Sequence, residues 1–196
     1  GINWTKYPNP VIYPGGYNSW DSKAVSPGAV IKENGIYKMY YCGYSDEYDN
    51  WHVGYATSVD GINWTKYPQP IITGTYGWEH QLIPFSIIKL NNQYCLYYTG
   101  RNLPAYKIGL AVSQDGINFT KYSGNPVLIN DQSWELNGVM EGSIQNDNGI
   151  LKMYYMNSSG TGFGIATSTN GINWTKSNLN PFFTTSSTYN NWAGDH

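Results

Sequence analysis

The hexapeptide Gly-Ile-Asn-Trp-Thr-Lys opens the chain at Gly1 and returns at Gly61, at Gly116 with Phe119 in place of Trp, and at Gly171. The glycines are 60, 55 and 55 residues apart. A fixed period of that length belongs to stacked repeat architectures, in which each unit buries its faces against copies of itself. A second landmark precedes every full unit: Trp20-Asp21, Trp78-Glu79 and Trp134-Glu135, with Trp192 starting another copy. Two landmarks in constant order constrain the fold more than any local propensity does.

Each unit contains four apolar runs rich in β-branched and aromatic residues. In the first unit they cover residues 25–32, 37–42, 52–58 and 62–66, and are called strands A to D. Asn34-Gly35 between A and B and Asp60-Gly61 between C and D are dipeptides suited to type I′ hairpins. Pairs such as Tyr40-Tyr41 and Tyr97-Tyr98 place large rings on both faces of the sheet, so each meander needs a neighbour on either side. Radial packing supplies them. The sequence therefore predicts an all-β, β-propeller-like array of four-stranded antiparallel blades in one domain, 1–196. The blades run over approximately 20–68, 78–123 and 134–177, with partial strands at 1–8 and 192–196.

The composition agrees: 16% aromatic residues, 22 Gly and 10 Pro stand against 12% charged residues, a balance of short strands and tight turns. Net charge is -2 without a Lys/Arg cluster, so no nucleic-acid partner is expected. No apolar run reaches the ~20 residues of a membrane-spanning helix, and no membrane partner is expected. The start at Gly1 inside a motif suggests an excised or processed segment. Cys42 and Cys95 fall at different blade positions and signal no disulfide. No His/Cys/Asp spacing forms a metal signature, and no cofactor is expected.

Residues 34–41, 53–58 and 60–64 (NGIYKMYY, VGYATS and DGINW) resemble the blade strands of five-bladed β-propeller glycoside hydrolases of the arabinanase, β-xylosidase, invertase and levanase type. Mannoside phosphorylases share that architecture. The resemblance implies an axial funnel with carboxylates on the innermost strands, a carbohydrate partner, and an extracellular or periplasmic setting. It specifies the blade type rather than the activity, since fold does not imply function.

Aligned on their Tyr-Tyr pairs, the three A strands carry Pro27, Pro84 and Glu141 at one position. Glu141-Gly142-Ser143 resembles the segment that bears the general acid in these enzymes, which makes Glu141 the first catalytic candidate. Glycoside hydrolysis needs a second carboxyl to attack or to activate water, and Asp21 is the reserve for that role. Asp21, Glu79 and Glu135 nevertheless recur once per unit, which favours a structural, turn-fixing role. His80 beside Glu79 is a further candidate. The aromatics Tyr44, Tyr48, Trp51, Tyr76 and Tyr106 are expected in loops, where ring faces stack on sugars, whereas Trp20, Trp78 and Trp134 are expected to pack between blades.

Three functions compete on these residues: a glycosidase with Glu141 as acid, a non-catalytic glycan-binding propeller, and a scaffold or engineered fragment that assembles. Three full units are fewer than the 4 to 8 blades that usually close a ring. A homo-oligomer, or blades supplied by a longer parent chain, is therefore expected, with residues 2–6 pairing against another sheet edge.

Overall fold

Each repeat folds into one antiparallel sheet. The computed structural model describes residues 2–46 and 50–185. The first blade contains β1 (Ala24–Glu33), β2 (Ile36–Tyr44), β3 (His52–Ser58) and β4 (Thr65–Lys66), and the second contains β5 (Gln81–Leu90), β6 (Gln93–Asn102), β7 (Ala105–Ser113) and β8 (Thr120–Lys121). The third contains β9 (Val139–Asp147), β10 (Ile150–Asn157), β11 (Gly162–Ser168) and β12 (Thr175–Lys176), and β13 (Phe183–Thr184) adds to β11. Strand order in every sheet follows chain order. The leading strands β1, β5 and β9 pack against one another in succession and form the inner side of the array.

Turn chemistry explains the blade outline. Asn34 and Gly35 have φ of 48° and 81°, as a type I′ turn between A and B requires. The connection from C to D is different from expectation. Asp60 Oδ1 accepts the backbone N–H groups of Ile62 and Asn63, each at 2.8 Å, and Gly61 takes φ 76°. This side-chain-closed loop consumes residues expected in strand D, which leaves a two-residue strand instead of 62–66. Asp115 and Asn170 close the same loop in the other blades.

Two cores lie between blades. Tyr40, Tyr55, Leu82, Ile87 and Tyr98 belong to the first, and Tyr97, Leu110, Ile144, Leu151 and Tyr155 to the second. A repeat-equivalent tyrosine bond crosses each core. Tyr40 donates its hydroxyl to the Gly116 carbonyl at 3.0 Å, and Tyr97 to the Gly171 carbonyl at 2.8 Å. The C–D loop of one blade is thereby held by the B strand of the blade before it.

Residues 2–8 form no strand in this structure and are exposed. The expected segment 192–196 and Tyr48 lie outside the described residues. Cys42 and Cys95 are both buried free thiols.

Candidate functional site

The leading strand of every blade carries a β-bulge near its start, and the third blade carries it differently. In the first two blades Pro27 and Pro84 pair with Tyr41 and Tyr98, and the unpaired residues are Gly28 and Phe85. In the third, Gly142 takes the place opposite Tyr155 and Met140 that opposite Met156, so Glu141 itself is the unpaired residue. Its φ is 33°, a left-handed value that L side chains adopt only when the surroundings hold it. Thr99 Oγ1 accepts the Glu141 N–H at 2.8 Å across the blade boundary. Gly142 permits the shift, because a Cβ there would lie 1.8 Å from the Tyr154 carbonyl oxygen.

The charge of Glu141 reaches the first blade. The Cys42 thiol is pushed up to about 12 by burial, with a further contribution from Glu141. Cys42, Thr99 and Met156 hold equivalent register positions in β2, β6 and β10, so Glu141 stands at the end of the array where the leading strands begin.

Aromatic and basic groups occupy the same end, although not as the sequence suggested. Tyr44 is the last residue of β2 and stacks on Trp51 just before β3, with ring centroids 5.6 Å apart. Tyr106 lies within β7 rather than in a loop. Its N–H donates to the Asn137 carbonyl at 3.3 Å, and the Arg101 guanidinium lies 5.6 Å from its ring centroid. Arg101 is two residues beyond Thr99 and so on the same face of β6. Its Nε is buried and has no hydrogen-bond partner among the described residues. Sequence reading missed Arg101; its being the sole arginine of the chain was the available signal. Tyr76 is 96% exposed in a loop and lies 6.5 Å from the His80 ring.

The acidic residues of the Trp-acid landmark form a second, repeated arrangement. Asp21 is 1% exposed and accepts from Ser19 and Tyr41, each at 3.0 Å, and from Lys66. Glu79 accepts from Tyr98 and, at 2.9 Å, from Lys121. Glu135, fully buried, accepts from Tyr155 at 2.8 Å and Lys176 at 2.7 Å, and from the backbone N–H groups of Asp131 and Gln132. Burial first, and then the neighbouring carboxylate, raises the Tyr41 phenol. Each blade thus ties its entry segment to strands B and D with one acid, one tyrosine and one lysine. A buried carboxylate so engaged already has its charge compensated. Asp21, the reserve for the second carboxyl, has its oxygens engaged by Ser19, Tyr41 and Lys66 in this arrangement. Trp20 and Trp78 stack on Tyr41 and Tyr98 of their own blades, and Trp134 packs against Tyr155.

Known carbohydrate-active proteins share this blade arrangement. A curated 1,2-beta-oligomannan phosphorylase of Thermoanaerobacter sp. (strain X514) is 31% identical over 122 residues, 57% of this chain and 41% of that protein. The chain thus spans less than half of that relative's length. A solved structure of the GH130 family of mannoside phosphorylases, described as containing glycoside hydrolases that target β-1,2-mannosidic linkages in Candida mannan, superposes with TM-score 0.68 at 21% identity. That match covers 86% of this chain and 56% of the other. A family 117 glycoside hydrolase of Zobellia galactanivorans gives TM-score 0.72 at 20% identity over 90% of this chain and 62% of its own. These two likenesses establish the blade architecture alone. The profile of the "Glycosyl hydrolases family 32 N-terminal domain" matches residues 25–137, more than half of the sequence, and the chain belongs to that family.

Proposed function

We propose that the domain binds a glycan across the end of the blades where β1, β5 and β9 begin, and that Glu141 protonates the glycosidic oxygen as the bond to the anomeric carbon breaks. The observation that carries this reading is the displaced bulge: one acidic residue, in a strained conformation, where its two siblings carry paired prolines. Strain of this kind persists at functional sites because the surrounding structure over-determines it. The stacked Tyr44 and Trp51 rings and the Arg101–Tyr106 pair supply apolar faces and a cation suited to a sugar and its polar substituents.

A second reading concerns the nucleophile. Hydrolysis uses a second carboxyl to attack or to deprotonate water, and Asp21 is committed elsewhere. Inorganic phosphate is already an anion and needs no base. The buried Arg101 Nε is suited to an anionic oxygen, and the oligomannan phosphorylase likeness favours the same choice. In that reaction the phosphate oxygen bonds to the anomeric carbon and the freed hydroxyl takes the Glu141 proton.

The test incubates the chain with β-1,2-linked mannobiose, with and without inorganic phosphate. Phosphate-dependent release of mannose 1-phosphate supports phosphorolysis, and release of free mannose without any sugar phosphate supports hydrolysis. Absence of both cleavage and saturable binding, across mannosides and fructosides, would remove the proposal.

A further inference from the structure

Two hydroxyls of the second blade hold the leading strand of the third. Ser86 Oγ accepts the Ile144 N–H at 3.3 Å in a buried setting, and Thr99 Oγ1 accepts the Glu141 N–H at 2.8 Å. The acceptors lie on β5 and β6, and both donors lie on β9. Register identifies the corresponding places in the first blade. Thr99 pairs with Ile83 as Cys42 does with Ser26, and Ser86 pairs with Tyr97 as Ala29 does with Tyr40. The first blade therefore offers the second a thiol and a methyl where the second offers the third two hydroxyls. A methyl accepts no hydrogen bond and a thiol sulfur only a weak one. Pro84, which stands in the second blade where Glu141 stands in the third, has no N–H to give.

The ladder differs at the same two boundaries. In the second blade Pro84 pairs with Tyr98 and the bulge falls on Phe85; in the third Gly142 pairs with Tyr155 and the bulge falls on Glu141. A bulge takes its residue out of the ladder, so an acceptor from a neighbouring blade compensates the Glu141 N–H. The alternative for β9, with Glu141 opposite Tyr155 and Gly142 bulged, is the arrangement that Pro27 and Gly28 adopt in the first blade. The positive φ of Glu141 opposes the observed register, and the Thr99 bond offsets it. Ser86 anchors the strand just beyond the bulge.

We propose that Thr99 is a positioning residue: with β9 anchored by Ser86, its hydroxyl keeps residue 141 in the bulge and so fixes where the Glu141 carboxyl meets the glycosidic oxygen. This rests on the reading of Glu141 as the proton donor. Thr99 is fully buried and acts through Glu141 alone. The acid and its hydroxyl support sit on different blades, so the boundary between the second and third blades is part of the site.

Nuclear magnetic resonance of the full chain reads the register directly, from cross-strand contacts of Tyr155 with residue 141 or 142. Thr99→Val removes the acceptor at nearly constant shape, and Thr99→Cys installs the side chain that Cys42 already places at the equivalent position. Ser86→Ala combined with Thr99→Cys reproduces the first boundary. Circular dichroism confirms that each variant is folded. The parent and Thr99→Ser should show Gly142 opposite Tyr155, and the other variants should show Glu141 there. Turnover of β-1,2-linked mannobiose should fall about 10²-fold in Thr99→Val, the scale of a misplaced catalytic group, with KM little changed, and should return in Thr99→Ser. The fall should be smaller on activated aryl glycosides, as for loss of the proton donor itself. Folded Val and Cys variants that keep Gly142 opposite Tyr155 would overturn the proposal, and so would a shifted register with parental turnover or an equal fall on both substrate classes. Parental turnover in Glu141→Gln would instead remove the proton-donor reading. The register is read without substrate and decides the role of Thr99 in either case.

Discussion

The hydroxyl of Tyr40 donates to the carbonyl of Gly116, 76 residues away, at 3.0 Å in a buried setting. Its repeat equivalent, Tyr97 to Gly171, shares its acceptor with Trp174 Nε1 at 3.2 Å, whereas Phe119 in the second blade has no N–H to offer. Tyr40→Phe therefore leaves a buried carbonyl with no repeat-equivalent donor and should cost about 1–3 kcal/mol. Tyr97→Phe should cost about 0.5–1.5 kcal/mol, because one donor remains. Urea unfolding of both variants checks the order, and equal losses would contradict it.

Glu135 and Lys176 form the most buried of the acid–tyrosine–lysine ties, at 0% and 8% side-chain exposure. Glu135→Ala leaves the Tyr155 hydroxyl and two backbone N–H groups without their acceptor, while Lys176 keeps Asp131 and the Ile129 carbonyl, each at 2.6 Å, so it should destabilise by about 1–3 kcal/mol. Asp147→Asn breaks an exposed pair and should cost no more than about 1 kcal/mol. Thermal midpoints of the two variants make the comparison directly.

His52 should make stability depend on pH. Burial, and then the charge of Lys121, holds its imidazole below the ordinary value of 6.5, and its Nδ1 accepts the Gly74 N–H at 3.0 Å. The unfolded chain takes up a proton near 6.5 while the folded chain resists it. The unfolded state thus binds more protons as pH falls below that value, and stability drops with it. His52→Asn keeps an acceptor without titrating there. A midpoint that falls from pH 7.5 to 5.5 by the same amount in parent and variant would refute the assignment.

Glu141→Gln tests the proton donor. On glycosides with poor leaving groups, turnover should fall by about 10²–10⁴-fold, the range for loss of a general acid. On activated aryl glycosides the loss should be smaller, because the departing phenolate needs less protonation. Equal loss on both substrate classes would point to a binding or folding defect instead.

The three four-stranded units, the A-to-D strand order and the A–B hairpin turn were legible in the sequence because they rest on local chemistry repeated at a fixed interval, whereas the C–D connection closed on a side chain instead of the expected hairpin. The Asn-Gly hairpin illustrates this: two residues with positive φ define their own turn without help from the rest of the fold. The equivalence of Pro27, Pro84 and Glu141 was visible for the same reason. Tertiary structure decided what those positions do. A bulge can move by one residue only if a glycine accepts the close approach of the facing strand, as Gly142 does beside Tyr154, and that approach depends on strands paired across a turn. The recurrence of Asp21, Glu79 and Glu135 pointed to a structural role, but the partners of Asp21 lie 20 and 45 residues away, on Tyr41 and Lys66, and a charge is neutralised by proximity in space rather than in sequence. Tyr106 read as a loop residue beside Pro104, yet its pairing with Arg101 places it in a strand. The repeat determined which groups the chain possesses, and inter-strand and inter-blade packing determined which of them meet.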